Sequence, residues 1–553
     1  MKGYRIDFNR FLGIAVVLWI LVIFGGMLVD VMEVDAAQYA AMGREMRDND
    51  SWLEVYERGQ NYNSLGNPDK PPLLFWLTAA SFSLLGVSSF SYKLVSVLVG
   101  LLGALSVYQL GRLIYDSRTA RIAAIIYCSA LGFILMLNDI RTDTLLIGWV
   151  AYACWQLERY LRTKRWSAWF LAFSGIALAM LAKGPLGLIA VAVPFGADAL
   201  LRRDWKRIFR WEWILGLVLI LIWLMPMLIG LYRQWGWDHG VVYYFWTQSF
   251  GRITGENVWK DDTSPFFFTH TFLWTFLPWS LLVVTALFRN LFELRRQLNN
   301  ALSGEFIATS GFVLLFVAMS SSHFKLPHYI YICFPFAALL TADFLSDIQA
   351  GTRTFRWLSM VQLVISIIIL LISAAVVQWI FPGGFGWGFL IGFALIAMIA
   401  AFFQQFDGFL RLFGPSLIAL LVFGLVANYV FYPNLLGYQS SSNAGKYIHE
   451  QGLKQEEVAL FAIGEESIHA LDFYAEMTVP HYSNPASLLD AGQLQRYVYT
   501  NQAGIDSLSA AGYQLKTVKS WPFFRVTHLS GHFLNPAKRA ESLEERFFVL
   551  LSR

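Results

Sequence analysis

Charged residues are scarce in this sequence of 553 residues, where Asp, Glu, Lys and Arg make up 14% and hydrophobic residues 56%. Soluble domains of average composition carry about 25% charged residues. The formal net charge is only +4, which gives no reason to expect a nucleic acid partner. This composition predicts a polytopic α-helical membrane protein rather than a soluble enzyme.

Cysteine is also rare, and no repeat or low-complexity tract is present. The three cysteines, Cys128, Cys154 and Cys333, all fall inside apolar stretches. No pair is therefore available for a disulfide in the polar loops, and no CxxC motif indicates metal or redox chemistry.

Long apolar runs dominate what remains. A helix needs about twenty apolar residues to cross roughly 30 Å of hydrocarbon. The run 11–29 follows a basic start like a signal peptide, but it lacks a small-residue cleavage site and is interpreted as a retained first span. About thirteen such windows occur, at 11–30, 91–111, 120–138, 144–161, 167–183, 185–201, 213–232, 265–288, 305–320, 326–346, 357–380, 386–403 and 412–432.

The basic linkers between these windows set the expected topology. Cytoplasmic loops carry an excess of Lys and Arg, so these linkers are expected in the cytoplasm with the N-terminus. All of these linkers fall on the cytoplasmic side only if the apolar segment 71–86 does not cross the membrane. That segment is short and begins with two prolines. Segments 31–90, 233–264 and 321–325 then lie outside the cytoplasm. The linkers used are 111–121, 162–165, 202–210, 289–296 and 351–356.

The composition changes near residue 433. From there the chain is polar, and its apolar segments shorten to strand length in "EVALFAI", "QRYVYT" and "RFFVLLS". We therefore expect a membrane domain over 1–432, with an outer juxtamembrane loop at 31–90. A small extracytoplasmic α/β domain is expected over 433–553.

Ionisable residues near the membrane cluster at the ends of spans that face outward. A transporter would be expected to bury charges at the midplane, on broken helices and often in two similar halves. The pattern favours an enzyme whose site opens at the outer leaflet, with a lipid or glycan flippase or transporter as the alternative. The residues are Asp35, Asp69, Lys70, Arg141, Asp143, Lys183, Arg252, Lys325 and His328.

Several of these residues also have a structural interpretation. Asp35 is either a helix cap or a functional carboxylate on a helix lying along the membrane surface. Lys70 either snorkels from an interfacial helix or, held before two prolines, binds a phosphate. Arg141 and Asp143 form either an ion pair or part of a catalytic site.

Two later outer segments add candidates. "SFGRITGENVWKDD" holds Arg252 in the largest later outer loop, a candidate lid. "SSSHFKLPHYIY" offers His323, Lys325, His328 and Tyr329. Two histidines five residues apart across a proline do not make a metal motif.

The motifs taken together resemble the GT-C glycosyltransferases. They are "VDAAQYA", "DKPPLLFW", "IRTDTLL", "LAKGPLGL", "SFGRI", "FLPWS" and "KLPHYIYICFP", in that order. Within this family the branch that holds the bacterial aminoarabinose lipid A transferase and the protein O-mannosyltransferases is the most similar. The resemblance covers about residues 1–435, and it implies a GT-C fold with thirteen spans and an outward C-terminal domain.

The resemblance also implies roles for individual residues. Asp35 aligns with the carboxylate that activates the acceptor, and Asp143 is the second catalytic candidate. Lys70, Arg252 and Tyr329 would bind the donor phosphate. The sequence departs from the family pattern at Ala36, Asn67 and Ser249, which leaves the substrate open. Supporting roles fall to Asp69, Arg141, Lys183, Lys325 and His328.

The implied donor is a sugar on a polyprenyl phosphate, and the acceptor is a lipid, a glycan or a protein. The phosphate leaving group needs positive charge, which Lys70 and Arg252 supply. Asp35 takes the proton of the attacking hydroxyl in one inverting displacement. No cofactor is expected to be required, and a divalent metal is not indicated although the sequence leaves it open. The expected location is the bacterial inner membrane, in contact with membrane lipids.

Overall fold

The computed structural model describes residues 8–64, 67–68, 70–247, 264–299, 306–349, 351–403, 408–488 and 495–552. Helices make up most of the described chain. The helices up to residue 236 are α1 (Phe8–Leu28), α2 (Asp35–Asp48), α3 (Leu73–Leu85), α4 (Ser89–Ile114), α5 (Ser117–Ser129), α6 (Leu131–Asn138), α7 (Thr142–Thr163), α8 (Trp166–Lys183), α9 (Leu186–Leu201), α10 (Trp205–Ile208) and α11 (Glu212–Gly236). The wider π-helical segment Trp237–Thr247 continues α11.

The later helices lead into a mixed C-terminal region. They are α12 (Phe267–Thr275), α13 (Ser280–Asn299), α14 (Ile307–Ser320), α15 (Phe334–Asp347), α16 (Arg353–Ala375), α17 (Phe385–Phe403), α18 (Gly408–Val426), α19 (Tyr432–Leu436), α20 (Ser440–Glu450), α21 (Glu465–Tyr474), α22 (Gln502–Ala510) and α23 (Gly531–Leu534). A 3₁₀ helix, Pro327–Cys333, precedes α15. The short strands β1 (Tyr56–Glu57), β2 (Gln60–Asn61), β3 (Asn63–Ser64) and β4 (Asn67–Pro68) form two hairpins after α2.

The described helices make this chain a multi-pass membrane protein. Seven helical segments are long and apolar enough to cross a membrane, or nine if each of two bent pairs counts as one span. Four further apolar helices in the described residues are shorter. One of these is α3, whose 13 residues extend only about 20 Å, less than the hydrocarbon thickness. Only 17% of the apolar window in α17 is buried within the protein, which leaves most of that helix for lipid.

The two bent pairs contact each other at their breaks. α5 and α6 bend by 50°, and α12 and α13 by 119°. The amide N of Leu131 donates to the carbonyl of Leu277 over 2.9 Å, and Trp279 Nε1 donates to Ser129 Oγ over 3.0 Å. These bonds satisfy polar groups that the broken helices would otherwise leave unpaired in lipid.

Helix α2 is confirmed as a helix, but its surroundings differ from those expected of a helix on a membrane surface. The predicted apolar face, Ala36, Tyr39, Ala40, Gly43 and Met46, is buried, and so are the residues on the other faces from Ala36 to Met46 except Gln38. Helix α2 packs against α3 on one side and against α21 of the C-terminal region on another. The C-terminal contact explains why its polar face is buried too.

The C-terminal region contains a five-stranded sheet in the order β6-β5-β7-β9-β8. Its strands are β5 (Val458–Phe461), β6 (His481–Tyr482), β7 (Gln495–Asn501), β8 (Gln514–Phe523) and β9 (Glu544–Ser552). β5 pairs in parallel with β6 and β7, and β9 pairs antiparallel with β7 and β8. β5, β7 and β9 coincide with the three apolar segments predicted from the sequence.

Hydrogen bonds tie this region to the start of the first outer loop. Asp30 accepts from Lys446 Nζ at 2.7 Å, and the hydroxyl of Tyr474 accepts from the amide of Val31 at 2.7 Å. The amide of Glu33 donates to Gln439 Oε1 at 2.8 Å, and Ser441 Oγ donates to the Glu33 carboxylate at 2.5 Å. The chain just before α2 is therefore fixed by residues more than 400 positions later.

A second set of bonds fixes the chain after α2. Arg58 forms an ion pair with Asp472 of α21, and Glu45 accepts from the amides of Arg58 and Gly59 at 2.8 and 2.6 Å. Burial raises the pKa of Asp472, and Arg58 opposes that shift. His469 Nε2 lies 3.1 Å from the Glu57 carboxylate. Both ends of α2 are therefore held by the C-terminal region.

Candidate active site

Arg141 joins two carboxylates at one end of the helix bundle. It directly precedes α7, and its Nη1 pairs with Asp35, the first residue of α2. Its Nε donates to Asp139 Oδ2 over 2.9 Å. Burial disfavours the charge of Arg141, but Asp139 and Asp35 outweigh it, so the pKa of the guanidinium is raised above its ordinary value.

Asp143, in the first turn of α7, forms a second cluster. Lys183, the last residue of α8, donates to both oxygens of Asp143 at 2.5 Å. His328 Nε2 lies 3.6 Å from Asp143 Oδ2. The Lys183 ammonium also lies 3.8 Å from the ring centroid of Tyr329. Four of the predicted site residues are thus brought together here.

The two clusters border one cavity. Its volume is about 260 Å³. Asp139, Arg141, Asp143, Thr144 and His328 form its polar part. The remaining lining is aromatic or apolar and consists of Met32, Leu135, Met136, Trp274, Pro327, Tyr331 and Tyr432. The bent pairs position α6 and α12, which supply Leu135, Met136 and Trp274.

A second pocket contains Lys70. This residue lines the smaller pocket with Tyr62 and Pro72 and with Met227, Leu231 and Gln234 of α11. Among the described residues it is not part of the lining of the larger cavity. Lys70 and Asp143 therefore line different pockets.

Three other predicted residues complete the description. Lys325 is buried, with 5% of its surface exposed, in the loop before the 3₁₀ helix. Asp69 and Arg252 lie outside the described residues, so their roles stay predictions.

Sequence reasoning missed two charged groups near this end of the bundle, one partly buried and one fully buried. Asp139 stands in the same "NDIRTD" stretch as Arg141, and its position two residues before the arginine was the available signal. Lys93 of α4 is fully buried, and its ammonium donates to the carbonyls of Gly26 and Val29 at 3.0 Å. Lys93 thereby caps the C-terminus of α1, which is a structural role.

Within the described ranges, no group of three or more His, Cys, Asp or Glu side chains is arranged to hold a metal ion. The polar lining instead pairs carboxylates with fixed cations. Such an arrangement can orient a carboxylate towards a hydroxyl and stabilise a developing negative charge.

Comparisons with known proteins place this geometry in context. The model of the dolichyl-phosphate-mannose-protein mannosyltransferase family matches residues 69–229. An undecaprenyl phosphate-alpha-4-amino-4-deoxy-L-arabinose arabinosyl transferase from Pectobacterium atrosepticum is 26% identical over 498 residues, covering 82% of this chain and 86% of that protein. An uncharacterized protein from Aquifex aeolicus is 27% identical over 52% of this chain and 55% of its own length.

The fold is shared with a solved structure. The crystal structure of ArnT from Cupriavidus metallidurans bound to undecaprenyl phosphate has a TM-score of 0.73 at 17% identity, covering 98% of this chain and 97% of that one. The apo structure of the same protein gives a TM-score of 0.72. The expected resemblance is confirmed: this multi-pass membrane protein is similar in sequence to the aminoarabinose transferases and, over residues 69–229, to the protein mannosyltransferases, and it shares the fold of ArnT. These similarities support the expected glycosyltransferase activity.

Proposed function

We propose that this chain transfers a sugar from a polyprenyl-phosphate donor to a lipid, glycan or protein acceptor at the outer face of a bacterial inner membrane. The observation that carries the proposal is that Asp143, paired with Lys183, lines a cavity to which Asp35 is joined through Arg141. The similarity to a transferase named for an undecaprenyl phosphate sugar supports the same donor class.

The chemistry follows from these charges. Asp35 is held by Arg141 at the start of α2 and takes the proton of the acceptor hydroxyl as that oxygen attacks the anomeric carbon. The bond from the anomeric carbon to the phosphate oxygen breaks in the same displacement, with inversion. The departing polyprenyl phosphate carries the electron pair and is stabilised by cations.

We assign the donor phosphate to Lys70, Arg252 and Tyr329, with Asp69 holding Lys70. Lys183, His328 and Lys325 support the second carboxylate, Asp143. A monophosphate ester can be neutralised by protein cations alone, so we propose that no metal or other cofactor is required.

The proposed topology has thirteen spans, a cytoplasmic N-terminus and α3 as a helix that does not cross. The membrane domain covers 1–432 and an extracytoplasmic α/β domain covers 433–553. The length of α3 supports its assignment as a non-crossing helix. In this arrangement the cavity opens on the outer side.

A transfer assay with the purified protein tests the function. A labelled polyprenyl-phosphate sugar is incubated in detergent with a total envelope lipid and glycoprotein fraction, and the release of polyprenyl phosphate is followed. We expect release that depends on the acceptor and on Asp35, with Asp48→Asn on the same helix as the control. A flippase would move the donor between leaflets without releasing polyprenyl phosphate, and that outcome would contradict the proposal. Mass spectra of envelope lipids and glycoproteins with and without the protein then identify the acceptor.

A further inference from the structure

We infer that the cavity between α6, α7 and the 3₁₀ helix holds the sugar ring of the donor, and that Asp139 selects a sugar without an acid group. The inference rests on the proposed function, because it names the substrate class of the same site. It adds Asp139, which no motif assigned, as a specificity-determining residue.

The size of the cavity suits a single sugar. Pockets for drug-sized ligands enclose about 300–1,000 Å³, and this one encloses about 260 Å³. The polyprenyl chain must therefore lie elsewhere, and a monosaccharide is the part of the donor that the cavity can contain.

The lining also matches the two kinds of surface on a sugar ring. Trp274, Tyr331 and Tyr432 offer apolar faces to the C–H groups of the ring. Asp139, Asp143, Thr144 and His328 offer polar atoms to its hydroxyl edge. An apolar pocket with a few fixed polar groups is the usual design of a specific small-molecule site.

Asp139 has unused acceptor capacity in this cavity. Its Oδ2 accepts from Arg141, whereas its Oδ1 is closed off from solvent and accepts from no donor among the described residues. The side chain as a whole keeps 29% of its surface exposed, and Asp139 is part of the cavity lining. A buried acceptor without a donor is costly, so such a group calls for a partner. The exposed part of the carboxylate borders the cavity and has the capacity to accept a further hydrogen bond from a hydroxyl or ammonium group of a bound sugar.

The charges at the cavity indicate which sugars should bind weakly. Three carboxylates, Asp35, Asp139 and Asp143, lie at the cavity or in its ion pairs, against two permanent cations, Arg141 and Lys183. Among these five side chains the carboxylates exceed the cations by one. A uronic acid would bring another negative charge close to Asp139 and be repelled. A neutral sugar would bring no charge, and the ammonium group of an amino sugar would be attracted by the carboxylate.

Binding measurements with the full-length protein test this without requiring turnover. The probes are polyprenyl phosphate alone and three polyprenyl-phosphate sugars of one configuration: a neutral hexose, the matching amino sugar and the matching uronic acid. We expect the unaltered protein to bind the neutral and amino sugars at least about tenfold more tightly than the uronic acid, the effect of one close charge in a partly screened site.

Asp139→Asn is the informative variant, since it keeps the shape and removes the charge. We expect it to bind the uronic acid about tenfold more tightly than the unaltered protein does, with unchanged affinity for polyprenyl phosphate alone, which shows that the variant is folded. Asp343→Asn is the matched control, because Asp343 also pairs with an arginine, Arg289, and is similarly exposed at 26%. This control should leave all the ratios unchanged.

The outcomes separate the inference from the proposed function. Equal affinity of the unaltered protein for all three sugars, or ratios unchanged by Asp139→Asn, would overturn the inference even if transfer occurs. Discrimination that depends on Asp139 without any release of polyprenyl phosphate would support the inference and count against the proposed transfer.

Discussion

The two ends of α7 both carry several ion pairs, but they differ in which charge is in excess. Asp143 at one end and Glu158 near the other are separated by about 22 Å along the helix axis. Around Glu158, three carboxylates (Glu158, Asp198 and Glu212) pair with four arginines (Arg162, Arg202, Arg207 and Arg210). Around Asp143, carboxylates outnumber the permanent cations and border an open cavity.

The number of ion pairs therefore does not mark a functional site. The Glu158 end fixes neighbouring helices together: Asp198 is 1% exposed and accepts from two arginines, at 2.7 and 2.8 Å. At the Asp143 end, Asp139 and Asp143 line the cavity. An excess of carboxylates beside a cavity is therefore the more informative signal for chemistry.

The largest effect is expected from Asp35→Asn, at the cavity end. Removing the proposed base should reduce transfer about 10²–10⁴-fold, with little change in donor affinity. Release of polyprenyl phosphate measures turnover, and Asp48→Asn is the control. Near-normal turnover would leave Asp35 with only a structural role as the ion-pair partner of Arg141.

A pair of variants at the two ends tests the comparison directly. We expect Asp143→Asn to abolish most transfer, and Asp198→Asn mainly to destabilise the protein, since removing one partner of a buried pair costs about 3–5 kcal/mol. Thermal unfolding in detergent and activity per folded molecule separate the two effects. Equal loss of specific activity in both variants would contradict the assignment of chemistry to the Asp143 end alone.

A smaller effect is expected at the second pocket. Lys70→Met should weaken donor binding about 10–100-fold, the value of one charge-assisted hydrogen bond. Arg252→Met should do the same, and the double variant should cost less than the two singles together, because both residues bind one phosphate. Unaltered donor affinity in Lys70→Met would make Lys70 an interfacial anchor.

The smallest effect on activity is expected from cysteines that report topology. Ser509→Cys should react with an impermeant thiol reagent from outside, and Ser117→Cys should not; both positions are exposed. The native Cys154 and Cys333 are buried, and the partly exposed Cys128 is replaced by Ser in the background protein. Labelling of both positions from the same side would contradict the proposed membrane topology.

Sequence reasoning predicted the helices well because span length and hydropathy are local properties. It found Asp35, Arg141, Asp143 and Lys183 through charge at span ends, and the structure joins them in pairs. It could not predict that Lys70 lines a separate pocket with α11, because that contact depends on tertiary packing. The burial of α2 on nearly all sides was equally hidden, since its cover comes from α21, more than 400 residues later.

The attachment of the first outer loop to the C-terminal region has a consequence for biosynthesis. The bonds from Val31, Glu33 and Arg58 join residues separated by 443, 406 and 414 positions. At about 5–20 residues per second, the ribosome takes roughly 20–80 s to add 400 residues. The segment carrying Asp35 is therefore synthesised about that long before its partners in the C-terminal region. A nascent chain that stops before residue 439 cannot form these contacts. The contacts that fix both ends of α2 therefore form only after the C-terminal region has been synthesised.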